Sequence, residues 1–421
     1  MESGEWRHGH GELGVFLLAV GAFLPVARAD FALRDGDTVV FLGDSITAER
    51  GYGKVVENYT LLRYPQRKVR FINAGWGGDT AAGGLKRLDR DVFSHGATVL
   101  TVAYGVNDIG WGMKADVEHR KLYLDSIRGI VTACKEHKVR VFICSAAITG
   151  EKPETAEHGF LTKMCDEGMA ISRSLGEGAI DVQRGMRKIQ KRVLAANAAA
   201  KEEKDRTSLH AADSIHLNDL GQLAMGFVII KGLGGPANVS SAVIDAASGG
   251  VVEAKGCRVT DVKGSTAQIE FDRLDEGLPL NFGPLGVLNF RFISIPEELN
   301  RYMLTVRSLE AGKYDLTADG RAVGTYTHEQ LAAGVNISSA TTDGWVPGGP
   351  WDAQAALLKM LTQSRNELAQ MQKTAEYYFG PNAATQPSGE YAARINAEIE
   401  QLQRETARPR QYHFIVRPAT R

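Results

Sequence analysis

In the first half of the chain the apolar positions come in short unbroken runs. Val39-Val40-Phe41-Leu42, Val69 to Asn73, Thr98 to Tyr104 and Val139 to Ala147 are rich in β-branched and aromatic residues. Such runs predict strands buried on both faces. Between them the period lengthens to that of a helix. Gly51 to Arg63 sets Val55, Val56, Tyr59 and Leu62 on one face, and Leu85, Leu88 and Val92 mark a second helix. Val117 to His137 is carried by Leu122, Leu124, Ile127, Ile130 and Val131. Lys163 to Leu175, Met186 to Glu203 and Asp219 to about Lys231 continue the series. Alternating strand and helix predicts an α/β fold: a mainly parallel sheet with helices on both faces, a three-layer α/β/α sandwich.

Past Gly232-Leu233-Gly234-Gly235-Pro236, a natural break, the pattern changes. Gly256 to Val262 and Thr266 to Phe271 alternate like paired strands, and Asn289 to Phe292 and Tyr302 to Val306 look similar. Gly312 to Thr317 and Ala322 to Tyr326 flank Asp319-Gly320 and read as a hairpin. A helical segment from Trp351 to Phe379 follows, with Leu357, Leu361, Leu368, Met371 and Ala375 as its apolar stripe. Gly380-Pro381 breaks it, and Tyr391, Ile395, Ile399 and Leu402 mark a partner helix, so a helical hairpin is expected. Gln411 to Arg417 reads as a last strand.

The N-terminus is different in kind. Leu13 to Val26 is apolar and leads to Ala27-Arg28-Ala29, a small-x-small cleavage pattern. The run is shorter than the roughly 20 apolar residues of a spanning helix, so residues 1–29 read as a signal peptide cleaved after Ala29. Glu2, Glu5 and Glu12 outnumber Arg7 ahead of the run, which keeps an uncleaved anchor as the alternative. The expected organisation is a signal peptide (1–29), an α/β domain (30–233), a β-rich region (234–345), and a helical hairpin with a final strand (346–421). The expected product is secreted or periplasmic, with no stable membrane insertion after cleavage.

Composition narrows the partners. The 421 residues are 43% hydrophobic and 24% charged, as in a globular protein. Removing residues 1–29 takes three acids from 50 and two bases from 49, which leaves 47 of each sign. With neither a basic stripe nor an acidic tail, no nucleic-acid partner is expected. Cys134, Cys144, Cys165 and Cys257 form no CxxC and have no His at metal-ligand spacing. Export permits a disulfide, and small buried side chains are the other reading.

The polar motifs cluster at predicted strand ends. Gly43-Asp44-Ser45 ends the first, Gly75 to Thr80 the second, and Gly105-Val106-Asn107-Asp108 the third; Asp213-Ser214-Ile215-His216 precedes the last helix. In open α/β sheets, ligands bind beyond the C-terminal strand ends. An acyl-transfer site needs a nucleophile, a base, an orienter for the base and donors for the oxyanion. Ser45 can attack, His216 can take its proton, and Asp213 can hold the other ring nitrogen. The backbone N–H of Ser45, that of Gly78 and the side-chain amide of Asn107 can converge on one oxygen. Gly75 and Gly77 are alternatives to Gly78, and His210 is the competing base. Asp44, Asp79 and Asp108 are expected to brace the loops through backbone N–H groups. Trp76, Tyr104, Trp111 and Met113 adjoin the site in sequence; they line a substrate surface or pack in the core. Taken singly, each motif is also an ordinary turn or cap; their order and placement set them apart.

That combination resembles the SGNH/GDSL hydrolase superfamily. Ser45 matches its first block, Gly78 in Gly-Gly-Asp-Thr the second, Asn107 in Gly-Val-Asn-Asp the third, and Asp213 with His216 the last. The resemblance covers about residues 36 to 233. It implies a Ser-His-Asp triad, an acyl-enzyme, ester hydrolysis, and no metal or organic cofactor. Together with the signal peptide and the Leu-Asn-Arg-Tyr-Met-Leu-Thr-Val extension, the chain also resembles secreted bacterial GDSL-type proteins among carbohydrate-degrading enzymes. O-acetyl groups on polysaccharide or a small-molecule ester are the substrates this implies. A lipid or thioester hydrolase with the same triad is the first alternative, and a non-catalytic carbohydrate-binding protein on the same scaffold is the second. An envelope interaction protein working through the hairpin is a third. The sequence leaves the oligomeric state open.

Overall fold

The computed structural model describes residue 1 and residues 30–281, 286–338, 348–380 and 387–419. The expected signal peptide lies outside the described residues, Met1 apart, as does the expected boundary between residues 345 and 346.

The first half builds one sheet. Its strands are β1 (Thr38–Gly43), β2 (Arg70–Gly75), β3 (Val99–Ala103), β4 (Arg140–Cys144) and β5 (Gly178–Ile180). They run in the order β2-β1-β3-β4-β5, all parallel. β1 and β3 are buried along their whole length, as their unbroken apolar runs require. β5, only three residues with two glycine or alanine positions, carries no such run and escaped the pattern reading. The helices are α1 (Ser45–Ala48), α2 (Gly51–Arg63), α3 (Ala81–Lys86), α4 (Leu88–Asp91), α5 (Val117–Glu136), α6 (Pro153–Ala156), α7 (Phe160–Ser174), α8 (Val182–Ala199) and α9 (Asp219–Gly232). They cover both faces, giving the expected three-layer α/β/α fold. One expected helix differs: the stretch through Leu85, Leu88 and Val92 breaks at Arg87, whose side chain turns to the strand ends.

The second half adds two sheets. One contains β6 (Asn238–Asp245), β7 (Gly250–Lys255), β10 (Arg301–Arg307) and β13 (Val335–Asn336), in the order β13-β10-β6-β7. The other contains β8 (Cys257–Gly264), β9 (Ile269–Asp275), β11 (Lys313–Ala318), β12 (Arg321–Thr327) and β14 (Gln411–Pro418), in the order β12-β11-β14-β9-β8. Asp319 and Gly320 both take positive φ between β11 and β12, the two-residue turn that Asp-Gly favours. The final strand enters the middle of its sheet, between β11 and β9. Asn289 to Phe292 forms no strand: residues Gly286–Asn289 are a 3-10 turn, and α10 (Ile295–Glu298) follows. The short helix α11 (His328–Ala333) carries a capping box at Thr327 and Gln330.

Two long helices, α12 (Pro350–Phe379) and α13 (Pro387–Thr406), make the hairpin. At the start of α12, Trp351 is fully buried, with its ring 5.0 Å from Tyr302 of one sheet and 5.9 Å from Phe414 of the other. Thirty residues of helix span about 45 Å, so α12 reaches from this aromatic core to the first half of the chain. It docks there on α2 through polar groups. Arg365 Nε and Nη2 donate to the two carboxylate oxygens of Glu57 at 3.1 and 2.6 Å, and Gln403 of α13 donates to Glu57 at 2.8 Å. The stripe expected to be buried is largely not: Leu357 and Met371 are exposed, while Thr362, Arg365 and Asn366 are buried. The face of α2 that receives the helix presents Glu57 and Asn58, so the matching face must be polar.

The four cysteines are free thiols, three of them buried, which corresponds to the packing reading.

Candidate active site

β1 ends at Gly43, where an added Cβ would stand 2.1 Å from Thr47 Oγ1 and 2.8 Å from the carbonyl of Ala103. Only glycine lets α1 start this close to the strand. Asp44 takes an extended conformation and caps α1, its Oδ1 accepting the N–H of Ile46 at 3.0 Å. Ser45 is therefore the first helical residue, where backbone N–H groups have no intrahelical acceptor. Burial pushes the Asp44 carboxyl up to about 7, against the pull of its bond to Ile46.

The candidate base arrives from the far end of the domain. Residues 211–216 form a closed loop: Ala211 N–H bonds the His216 carbonyl at 2.8 Å, and His210 bridges Leu217. Ser214 takes φ +59°, and its carbonyl accepts the N–H of Gly150 at 2.7 Å. This turn presents Asp213 and His216 on one side. Asp213 Oδ1 accepts the N–H groups of Ile215 and His216, both at 3.0 Å, and its Oδ2 lies 2.5 Å from His216 Nδ1. The bond to the imidazole, and then those two N–H groups, hold the Asp213 carboxyl well below the usual carboxylate range. With Nδ1–H donating to Asp213, His216 Nε2 is the acceptor, and it stands 2.9 Å from Ser45 Oγ. The competing base His210 is buried and bonded through Nε2 to the carbonyl of Ile148, and burial lowers its pKa. It does not reach Ser45.

Three N–H donors were expected for an oxyanion. Asn107 donates one Nδ2 hydrogen to the Asp79 carbonyl at 3.0 Å and accepts the Trp111 Nε1–H at 2.8 Å, which fixes the amide and leaves its second N–H. Of the three glycine candidates, Gly75 is spoken for: its N–H bonds Asn73 Oδ1 at 3.1 Å. Among the described residues no acceptor is found for the N–H of Gly77 or Gly78. Gly78 has φ +73°, a conformation that side chains rarely adopt, and its surroundings are open.

Two residues that the sequence reading passed over hold these loops. Arg87 donates to Asp79 Oδ2 and the Tyr104 hydroxyl, both at 2.8 Å, to the Ala74 carbonyl at 2.7 Å and to the Gly43 carbonyl at 3.3 Å. One guanidinium thus ties the ends of β1 and β2 to the residue following β3. In sequence it stands among Lys86, Arg90 and two aspartates, and nothing there singles it out. Lys373 of α12 donates to the Gly75 carbonyl; burial, and then Arg87 and Arg50, lower its pKa to about 8. Asp44 and Asp108 do brace backbone N–H groups, of Ile46 and Ala81. Asp79 instead accepts from the side chains of Arg87 and Tyr104.

The aromatic neighbours divide. Tyr104 does not line a surface: it is 1% exposed, its ring lies in the core, and its hydroxyl is bonded to Asp79. Trp111 is exposed, with its ring centroid 6.4 Å from that of His216. Trp76 is partly exposed on the Gly78 loop, and Met113 is exposed.

The family model described as GDSL-like Lipase/Acylhydrolase matches residues 41–224, a span that contains Ser45, Gly78, Asn107, Asp213 and His216. Residues 41–224, somewhat less than half of the chain, are a GDSL-like lipase/acylhydrolase domain. By class the protein is a carboxylic ester hydrolase. The fold beyond the GDSL-like domain is shared too. The gut microbial diltiazem-metabolizing enzyme BT4096 aligns at 21% identity over 92% of this chain and 98% of its own, with a TM-score of 0.79. The alpha/beta hydrolase enzyme LAE5 from the metagenome of Lake Arreo, Spain, aligns at 18% identity over 48% of this chain and 98% of its own, TM-score 0.40. The acetylxylan esterase Axe2 from Geobacillus stearothermophilus does so at 18% over 48% and 96%, also at 0.40. No curated protein matches the chain.

Proposed function

We propose that the protein is a secreted serine esterase that removes acyl groups, O-acetyl above all, from carbohydrate esters. The observation carrying this reading is the unbroken line Ser45 Oγ–His216 Nε2–His216 Nδ1–Asp213 at 2.9 and 2.5 Å. In that reaction Ser45 Oγ attacks the ester carbonyl carbon while His216 Nε2 takes its proton. Asp213 stays ionised and stabilises the imidazolium. The carbonyl oxygen, now anionic, is received by the N–H of Ser45, that of Gly78 and the free N–H of Asn107. Collapse of this adduct breaks the bond to the alcohol oxygen, which leaves with the proton from His216. Water, deprotonated by the same imidazole, then releases the acid and restores Ser45. No step needs a metal or organic cofactor. Exposed Trp76 and Trp111 beside the site support a sugar ring as the alcohol. Export rests on the segment ending at Ala27-Arg28-Ala29; among the described residues no helix is long and apolar enough to cross a membrane.

The test is acetate release by the protein beginning at Asp30, on acetylated xylan, acetylated monosaccharides and p-nitrophenyl esters of rising chain length. Ser45→Ala and His216→Ala are expected to lower kcat/KM by at least about 10³-fold. Activity confined to long acyl chains would move the substrate to lipids. Silence on every ester, with the fold intact, would sink the catalytic reading in favour of carbohydrate binding alone.

A further inference from the structure

The rim of the site is not confined to the GDSL-like domain. β2 pairs with β1 through Gly75 opposite Gly43, and Trp76 N–H bonds the Gly43 carbonyl at 3.0 Å, so Trp76 is fastened at the strand end that leads into Ser45. The C-terminal turns of α12 come to this point. Lys373 donates to the Gly75 carbonyl, and its ammonium lies 4.8 Å from the Trp76 ring centroid. One turn later the Tyr377 ring stands 6.4 Å from Trp76, tilted by 56°, and Tyr378 packs edge-on against Tyr377 at 5.3 Å. The indole is held by cations, Lys373 and Arg90, at its ring. Yet Trp76 is 36% and Tyr377 70% exposed, so neither ring is spent on the core. The Tyr377 ring, and the part of Trp76 that the two cations leave exposed, offer aromatic surface to solvent, with Trp76 two positions before Gly78 in sequence, and suit the flat face of a ring.

We propose that Trp76 and Tyr377 form a ring-binding subsite of the esterase, so that α12, a helix outside the GDSL-like domain, supplies the preference for ring-bearing esters. This rests on the esterase reading above. Both pyranose and aromatic rings offer such a face, by C–H or π contact, and the substrates separate them.

The experiment measures kcat/KM of the full chain on an acetylated xylobiose, on p-nitrophenyl acetate and on the ringless glycerol triacetate. In Tyr377→Ala the ratio of ring-bearing to ringless kcat/KM falls about tenfold, through KM. Tyr377→Phe restores it to within about twofold, because the face is kept. A fall for xylobiose alone identifies a sugar subsite, and one for the nitrophenyl ester alone an aryl subsite. An unchanged ratio for both overturns the proposal. A second readout is independent of turnover: calorimetric binding of xylotriose and p-nitrophenol to Ser45→Ala, with and without Tyr377→Ala. If no ester is cleaved by the wild type but ring binding is lost with Tyr377→Ala, the esterase reading fails and the subsite stands. Equal binding with and without the tyrosine, or none in either, removes the subsite.

Discussion

The central sheet and the helix α12 were both read from apolar positions, and they answer differently. In β1 and β3 every apolar residue of the run is buried. In α12 no residue of the stripe is fully buried, with Leu357 and Met371 exposed and Leu361, Leu368 and Ala375 half-buried, while Arg365 and Asn366 are buried. A strand between two layers of helix meets apolar neighbours on both faces, so its own composition decides its burial. A helix laid on another helix takes whatever that partner offers. Here α2 offers Glu57, and the contact is an ion pair with side-chain exposures of 7% and 3%. Buried charge is tolerated only when paired, so a polar face became the inner one.

The largest effect is expected at that pair. Arg365→Ala removes the guanidinium bonded to both Glu57 oxygens and leaves the amides of Gln403 and Asn366, with the Arg50 charge nearby but not bonded to the carboxylate, and is expected to cost about 3 kcal/mol of stability. Urea unfolding of the variant checks this. A midpoint equal to that of the wild type would mean that the pair contributes nothing to holding the hairpin.

A smaller effect should appear at the start of α1. The Asp44 carboxyl is raised from 3.8 to about 7, mainly by burial. Between those values the folded state keeps a proton that the unfolded chain has released, so this group's contribution to stability falls as pH rises from about 4 to 7. Asp44→Asn keeps the acceptor for the Ile46 N–H and removes the ionisation. The melting temperature of the variant should therefore gain on the wild type steadily across that window. Parallel melting curves for the two proteins would refute the buried, protonated carboxyl.

Least should happen on the exposed stripe. Leu357→Gln and Met371→Gln are expected to change stability by no more than about 0.5 kcal/mol. Losses of 2 kcal/mol or more, roughly what truncating a core side chain costs, would show that these side chains are covered in solution.

Much of the protein was determined by its sequence alone. Unbroken β-branched runs specify strands that must be buried on both sides, and alternation with helices specifies a parallel sheet; both follow from local composition. Ser45, Gly78, Asn107, Asp213 and His216 could be named as candidates from the sequence because each follows a strand or precedes the last helix, and their order along the chain sets them apart from ordinary turn residues. Tertiary structure alone decided three things. It separated His216 from His210, because only a folded loop shows which ring faces Ser45 and which is tied to Ile148. It moved Tyr104 inward to Asp79 and Arg87, a pairing that needs three loops in place. It also brought Arg365 to Glu57 and Lys373 to Gly75, partners some 300 positions apart in the chain. A hydrophobic pattern repeats over a few residues and is visible locally. A buried polar contact depends on the one group opposite it, and chain folding alone chooses that group.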